Sequence, residues 1–390
     1  MKGHKRNIFP GGNTPYGFHS YYNYIMPQNK AEKIFCLKGG PGTGKSTIMK
    51  EIGEYFIDNG EDVDFLWCSS DPDSLDGVVI KNRNAAVVDG TAPHIVDPEN
   101  PGAVDRITDL GAYWDESLLR ASRESILRCN KETGDCFRLA YGYLRCAGGY
   151  HSFLTDITDS MVRDADKYDM RMQLDLALDN ISSIKRAENK SHNDHVMGRI
   201  HRSGNKKRFF ADAITPAGVR SGLESLTENI GRLVIIRSKT GFDTGDLIRS
   251  ADERLRRAGF DTEVYYCPME PLTHPEHVIS QNADVAVITE NEYHSLPSGC
   301  VHSRKTRVIE IMTDDSVKKI SDDMMIDLRV RMLENINKAV KMLSDAKAHH
   351  DELEGYYIPA MDFSKVRTAG REIIEELENI VASDSDVRGI

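Results

Sequence analysis

Ile34-Phe35-Cys36-Leu37-Lys38-Gly39-Gly40-Pro41-Gly42-Thr43-Gly44-Lys45-Ser46-Thr47 is the stretch that fixes how the rest of the chain is read. Gly39, Gly44, Lys45 and Ser46 satisfy G-x-x-x-x-G-K-[ST], the P-loop or Walker A spacing. The apolar run at 34–37 has the length of a buried strand. After the loop, Ile48, Ile52, Tyr55 and Phe56 recur at helical spacing, so a helix is expected to begin within it. Strand, glycine turn and helix start together aim backbone N–H groups at one point, where the helix dipole also favours an anion. Gly39, Gly40, Pro41, Gly42, Thr43, Gly44, Lys45, Ser46 and Thr47 are therefore the expected phosphate cradle. Lys45 supplies a positive charge for β- and γ-phosphates, and the Ser46 hydroxyl is a Mg²⁺ ligand.

A chain of 390 residues is long enough for two domains, each with its own core. The formal net charge of −11 argues against a protein built to coat nucleic acid. None of the seven cysteines forms a C-x-x-C pair, so neither a zinc site nor a disulfide framework is indicated. The basic start of the chain lacks the apolar segment of a signal peptide, and no run reaches the ~18 apolar residues of a membrane span. These features predict a soluble, cytoplasmic protein.

Residues 11–28 read as a loop and short helix leading into the glycine-loop strand. A second strand is expected at 63–67, then an acidic loop over 68–77, then a third strand at 85–88 closing on Asp89. Alternating strands and helices imply a parallel three-layer α/β domain, with ligands at the carboxyl ends of the strands. Residues 115–190 carry helical apolar spacing with a break near Asp159, which predicts a helical hairpin or bundle.

An internal repeat organises the whole chain. A shift of 199 residues lays 233–279 over 34–80 without a gap, matching Gly42 with Gly241, Glu54 with Glu253, Gly60 with Gly259, Cys68 with Cys267 and Pro72 with Pro271. Outside that window Thr14-Pro15-x-Gly17 recurs as Thr215-Pro216-x-Gly218. The fold class expected is α/β: tandem duplicated P-loop NTPase-like domains with parallel sheets, each followed by a helical hairpin or bundle. The halves are 1–198 and 199–390.

The second copy has lost its phosphate residues. Gly44 becomes Asp243, Lys45 becomes Thr244, Ser46 becomes Gly245 and Asp89 becomes Thr289. Features lost with the loop are candidates for nucleotide chemistry, and features kept are structural. Asp89, at the end of an apolar run, fits the Walker B acid that holds the Mg²⁺ shell; the alternative is a strand-end cap of the next turn. Asp71, Asp73 and Asp76 face Glu270, Leu272 and Pro275 in the ungapped repeat. They could order Mg²⁺, orient an attacking water or accept a substrate hydroxyl proton, or they could set a turn and a helix cap. His94 is kept as His294 and reads as structural. The basic residues of 185–208 read as a solvated linker, with a cationic lid or a nucleic-acid patch as sharper alternatives; nucleic acid is the disfavoured partner.

At Lys38-Gly-Gly-Pro-Gly-Thr-Gly-Lys-Ser the chain resembles the P-loop NTPase superfamily. With Gly12-Asn-Thr-Pro, Cys68-Ser-Ser-Asp-Pro-Asp-Ser-Leu-Asp-Gly and Asp89-Gly-Thr-Ala-Pro-His it is similar to a sparsely characterised bacterial family of duplicated P-loop ATP-binding proteins. That resemblance implies ATP as the nucleotide and names no substrate. In such relatives the second half often keeps its own Gly-Lys-Ser/Thr, and this chain departs there. Gly90 follows Asp89, so the Asp-Glu pair of RecA-like and AAA-type ATPases is absent.

Three functions stand as expectations: a slow Mg²⁺-dependent ATPase using Lys45 with Mg²⁺ on Ser46 and Asp89; a small-molecule or nucleoside kinase with Asp71, Asp73 or Asp76 as base; and an ATP-switched protein whose helical arms bind an unidentified partner. A further expectation is that a cation from the second half approaches the phosphates as an arginine finger would. Its candidate sources are Arg237, Lys239, Arg249 and the 199–208 linker.

Overall fold

The computed structural model describes residues 2–91, 97–191, 203–238, 241–291, 296, 305–311 and 322–382; for 180–191 it describes the helical backbone alone. His94, His294, Lys239 and residues 192–202 of the basic linker lie outside these. The chain divides into two compact units: Met1–Tyr143, Asp212–Gly222 and Asn337–Ile390 form one, and Leu144–Ala211 with Leu223–Ile336 the other. The repeat read from the sequence runs 1–198 and 199–390, whereas the units interleave along the chain. No helix among the described residues is long and apolar enough to cross a membrane.

In the first unit the strands are β1 (Lys5–Ile8), β2 (Gly11–Thr14), β3 (Gly17–Ser20), β4 (Lys33–Lys38), β5 (Val63–Trp67), β6 (Leu75–Ile80), β7 (Ala85–Asp89) and β8 (Asp105–Asp109). Six of them form one sheet in the order β1-β5-β6-β7-β4-β8. Residues 34–37 of β4 are buried throughout, as a strand covered on both faces requires. α1 (Lys45–Asp58) buries Ile48, Met49, Ile52 and Phe56 in one cluster with Phe35, Leu37, Phe65 and Val87 of the sheet. Val366, Ala369, Ile373 and Leu377 of the last helix (Phe363–Glu378) join the same cluster, so residues far apart in the chain close the core around α1.

The sheet is mixed, not parallel as the sequence suggested. β6 runs antiparallel to both β5 and β7, while β1–β5, β4–β7 and β4–β8 are parallel. The cause lies in the supposed acidic loop. Ser74 donates its N–H to Asp71 O (2.9 Å) and Cys68 donates to Ser74 O (3.0 Å), so the chain reverses at once. A reversal this short can make only an antiparallel neighbour, because a parallel one needs a long crossover. Residues 75–77, read from sequence as loop, are strand. The stretch around Thr14 likewise forms the β2–β3 hairpin, in which Thr14 Oγ1 donates to Gly17 O (2.7 Å).

After β8 come α2 (Glu116–Ala121), α3 (Arg123–Asp159) and α4 (Asp164–Ser191). The break between α3 and α4 falls where the apolar spacing placed it. β9 (Lys206–Phe209), β12 (Arg232–Arg237), β13 (Thr262–Tyr266), β14 (Pro275–Ser280), β15 (Val285–Glu290) and β16 (Lys305–Glu310) form the sheet of the second unit, in the order β16-β12-β15-β14-β13-β9. β10 (Asp212–Thr215) and β11 (Gly218–Ser221) pair as a hairpin that belongs to the first unit. There the Asn13 amide donates to Ile214 O (2.9 Å). α5 (Leu223–Thr227) and α6 (Gly245–Arg257) follow the order of the first copy. The long helix Asp322–Tyr357 spans the boundary at Ile336.

The two sheets share details of register and turn geometry. Both sheets shift register at the same step, between Leu66 and Trp67 and between Tyr265 and Tyr266. Among the described residues two non-glycine residues have positive φ, Asn84 and Asp284, and they occupy equivalent turns. Thr215 Oγ1 donates to Gly218 O at 2.7 Å, as Thr14 does to Gly17. Cys68 pairs its N–H with Ser74 O, whereas Cys267 pairs with His274 O, so the second turn is one residue longer. Beyond it the shift is 200, which makes Glu276, not Pro275, the counterpart of Asp76.

β1 is held by charge. Arg6 is fully buried opposite Asp64 and donates from Nε and Nη2 to its two carboxylate oxygens, 2.7 Å each. Lys207 and Glu263 stand opposite each other at the equivalent register of the second sheet. Removing one partner of a buried pair strands the other. Arg6→Met is expected to lower the unfolding free energy by about 3–5 kcal/mol in urea titration; a loss within about 1 kcal/mol would mean that Asp64 finds water or another donor.

Candidate functional site

The glycine loop leaves the carboxyl end of β4 and enters α1 at Lys45. Gly42 (φ 64°) and Gly44 (φ 87°) adopt the left-handed conformation that a side chain disfavours, which lets the backbone curl tightly before the helix. Thr43 Oγ1 donates to Gly40 O (2.9 Å) and braces the curl from within. No side chain caps the start of α1. Its first N–H groups thus carry the donor capacity and partial positive charge that suit an anion.

Lys45 folds back over the loop, with Nζ donating to Gly39 O (2.8 Å) and Gly40 O (2.9 Å). Nζ also lies 3.7 Å from Asp89 Oδ2, and both side chains are largely buried. Burial lowers the Lys45 pKa, while Asp89 and Glu354 pull it back up. Asp89 arrives because β7 pairs in parallel with β4, Leu37 opposite Asp89. Its Oδ1 accepts the Thr91 N–H (2.8 Å), and Thr91 Oγ1 donates to Gly39 O (2.8 Å), so acid and loop are tied together. Ser46 Oγ accepts the Leu75 N–H (3.0 Å), which leaves its second lone pair for a cation. An acid, a hydroxyl, an ammonium and a row of N–H groups at one sheet edge fit Mg²⁺ and a polyphosphate chemically. Pro41 and Thr47, the other expected cradle residues, complete the loop and first helical turn.

The three acids of the turn do not converge. Asp71 Oδ2 accepts from Ser74 Oγ (2.8 Å), and its Oδ1 lies 3.4 Å from Lys347 Nζ. Asp73 is exposed, with its backbone carbonyl taken by Lys50 Nζ. Asp76 is buried on β6 and accepts from Tyr22 OH (2.7 Å). It also lies against the buried Cys68, whose thiol burial pushes far above its ordinary pKa, Asp76 adding to the effect. Cys267 and Glu276 make the same buried neighbours in the second unit. The acid at 76 is therefore kept in the repeat, which argues for a structural role.

Sequence reasoning missed the cover of the loop. A Cβ on Gly40 would meet Trp114 (3.2 Å) and Tyr357 (3.3 Å), and one on Gly42 would meet Ile358 (3.0 Å). The Gly42 N–H donates to Glu354 Oε1 at 3.1 Å. A contact across 312 residues leaves no local signal. Of the cations expected near the phosphates, Arg237 is paired with Glu290 and Glu310, and Arg249 with Asp246 and Thr273 O. Glu354 brings a carboxylate to the glycine loop.

The second unit's loop has solved its charge internally. Asp243 Oδ1 accepts the Gly245 N–H (2.7 Å) and lies 3.1 Å from His274 Nδ1. Thr244 Oγ1 and Thr289 Oγ1 share a 2.6 Å hydrogen bond at the positions of Lys45 and Asp89. The hydrogen bond from His274 holds Asp243 down at about 2, against the cost of burial. Burial disfavours the charged form of His274, yet Asp243 and nearby carboxylates raise its pKa overall. His151 alongside is shifted down, by burial first and then by His274. Comparison of the chain with protein-family models, curated proteins and solved structures returned no match.

The shifts set a pH window. The Asp243 contribution is present above its unfolded pKa of 3.8 and is lost as pH falls toward about 2. That of His274 is full below 6.5 and is lost as pH rises through its raised folded value. Asp243→Asn should therefore cost about 1 kcal/mol near pH 5.5, allowing for the partial exposure of the carboxylate, and less at pH 9. Chemical denaturation at both pH values measures this, and an equal or larger loss at pH 9 would contradict the pairing.

Proposed function

We propose that residues 39–47 bind a Mg²⁺–nucleoside triphosphate, ATP by the resemblance noted above, and that the protein is a Mg²⁺-dependent ATP hydrolase with one working site. The observation that carries this reading is a paired replacement. Lys45 and Asp89 lie 3.7 Å apart in the first unit, and both become threonines, bonded to each other, in the second. A lysine and an acid kept only for packing would have no reason to disappear together with Gly44 and Ser46. A pair that handles phosphate and metal does.

The roles follow from the chemistry of each group. Backbone N–H groups of the loop and the uncapped start of α1 hold phosphate oxygens; Lys45 Nζ exchanges its carbonyl partners for β- and γ-phosphate oxygens. Ser46 Oγ and Asp89 would hold Mg²⁺, Ser46 directly and Asp89 through the water shell. The metal supplies charge neutralisation across the phosphates. Hydrolysis is preferred to transfer onto a substrate hydroxyl because Asp71 and Asp76 are engaged in local hydrogen bonds and the three acids point to no common acceptor site.

Titration calorimetry with Mg²⁺–ATP tests the assignment. Lys45→Ala should weaken binding by about 100-fold or more, the loss of charge-assisted bonds to phosphate. Thr244→Ala should bind as the wild type does. Equal affinity in wild type and Lys45→Ala would overturn the reading.

A further inference from the structure

We propose that Glu354 is an internal stand-in for phosphate, closing the glycine loop with the chain that follows it, and that a nucleoside triphosphate must displace this carboxylate to bind. The inference rests on the nucleotide reading above and adds to it a competitor built into the chain.

The geometry is specific. Glu354 Oε1 takes the Gly42 N–H, a donor within the turn that a phosphate oxygen needs. Its carboxylate also acts on Lys45, the cation meant for the same phosphates. A carboxylate and a phosphate cannot share one N–H, and their like charges repel. Glu354 is presented by the last turns of the helix Asp322–Tyr357, whose residues 347, 350 and 354 fall on one face. Lys347 Nζ lies 3.4 Å from Asp71, anchoring that face at the neighbouring turn, and His350 Nε2 lies 3.7 Å from Glu354 Oε1.

The cover continues past the carboxylate. Ile358 stands over Gly42, and Val366 and Phe363 stand over Gly44, each within reach of an added Cβ (3.0, 3.3 and 3.6 Å). Past Ile358 the chain is fixed, with the Asp115 N–H donating to Ala360 O (2.8 Å), the Asp362 N–H donating to Tyr113 O (2.9 Å) and Val366 in the core, so the removable part of the cover is Glu354 to Ile358.

The second unit provides the control. There Leu154 of α3 covers Gly241, and Thr158 Oγ1 bonds Gly241 O. The anion at the helix start, Asp243, belongs to the loop itself and cannot leave. In the first unit the anion is carried by a different element, it takes the Gly42 N–H, and the lysine is retained. The arrangement is a removable version of a permanent seal.

The test compares wild type, Glu354→Gln, Ile358→Ala and Lys45→Ala by calorimetry with Mg²⁺–ATP, together with hydrogen exchange of residues 354–358. Removing the negative charge should tighten ATP binding about tenfold in Glu354→Gln, because less of the protein is held in the closed form. Ile358→Ala, a change at a half-exposed residue, should shift affinity in the same direction. Saturating Mg²⁺–ATP should speed exchange over 354–358 in the wild type. Lys45-dependent ATP binding with equal or weaker affinity in Glu354→Gln, or unchanged exchange, would overturn the seal while leaving the nucleotide reading intact. Absence of ATP binding in both wild type and Glu354→Gln would overturn both.

Discussion

The parallel pairing of β4 with β7 is the constraint on which the site depends. Register places Leu37 opposite Asp89, so the strand that ends in an acid runs out at the same edge as the strand that ends in the glycine loop. From that edge α1 begins with Lys45, whose side chain is 11% exposed. Asp89, the loop carbonyls and Glu354 are the partners left to it. A one-residue slip between β4 and β7 would carry Asp89 to the other face, and the polar cluster would not form.

The two units show what this frame tolerates. Sheet order, the bulge after Leu66 and Tyr265, the left-handed turns at Asn84 and Asp284 and the opposed charges at Arg6–Asp64 and Lys207–Glu263 are all retained. They govern strand pairing, which any copy needs in order to fold. The residues that changed cluster at the loop: Gly44 to Asp243, Lys45 to Thr244 and Asp89 to Thr289. An uncapped helix start demands an anion or a cap. In the second unit Asp243 takes the N–H of Gly245, the first helical residue, whereas in the first unit α1 stays uncapped and a glutamate from a distant helix takes the Gly42 N–H in the loop before it.

Much of this was legible in the sequence, because the glycine loop is a local signal and the repeat compares one chain with itself. The loop, α1, the strand ending in Asp89 and the break between α3 and α4 follow from spacing alone. The antiparallel β6 was hidden, because Leu75-Asp76-Gly77 looks like the tail of an acidic turn until the Cys68–Ser74 hydrogen bond closes it. The longer turn of the second copy shifted the repeat by one residue, and so the buried acid at Glu276 was mistaken for a lost one. Glu354 had no signal at all: a single glutamate on a helix reads as a solvated face until the helix is seen against Gly42. Interleaved units defeat any reading that assigns each stretch to the core nearest in sequence.

The central claim, that residues 39–47 with Lys45, Ser46 and Asp89 form one working phosphate site, is tested most directly by a crystal structure with Mg²⁺ and a non-hydrolysable ATP analogue. The account predicts phosphate density against the N–H groups of residues 42–47 and Lys45 Nζ, metal density between Ser46 and Asp89, and none at residues 241–247. Phosphates bound at another place on the protein, or at the second loop, would contradict it.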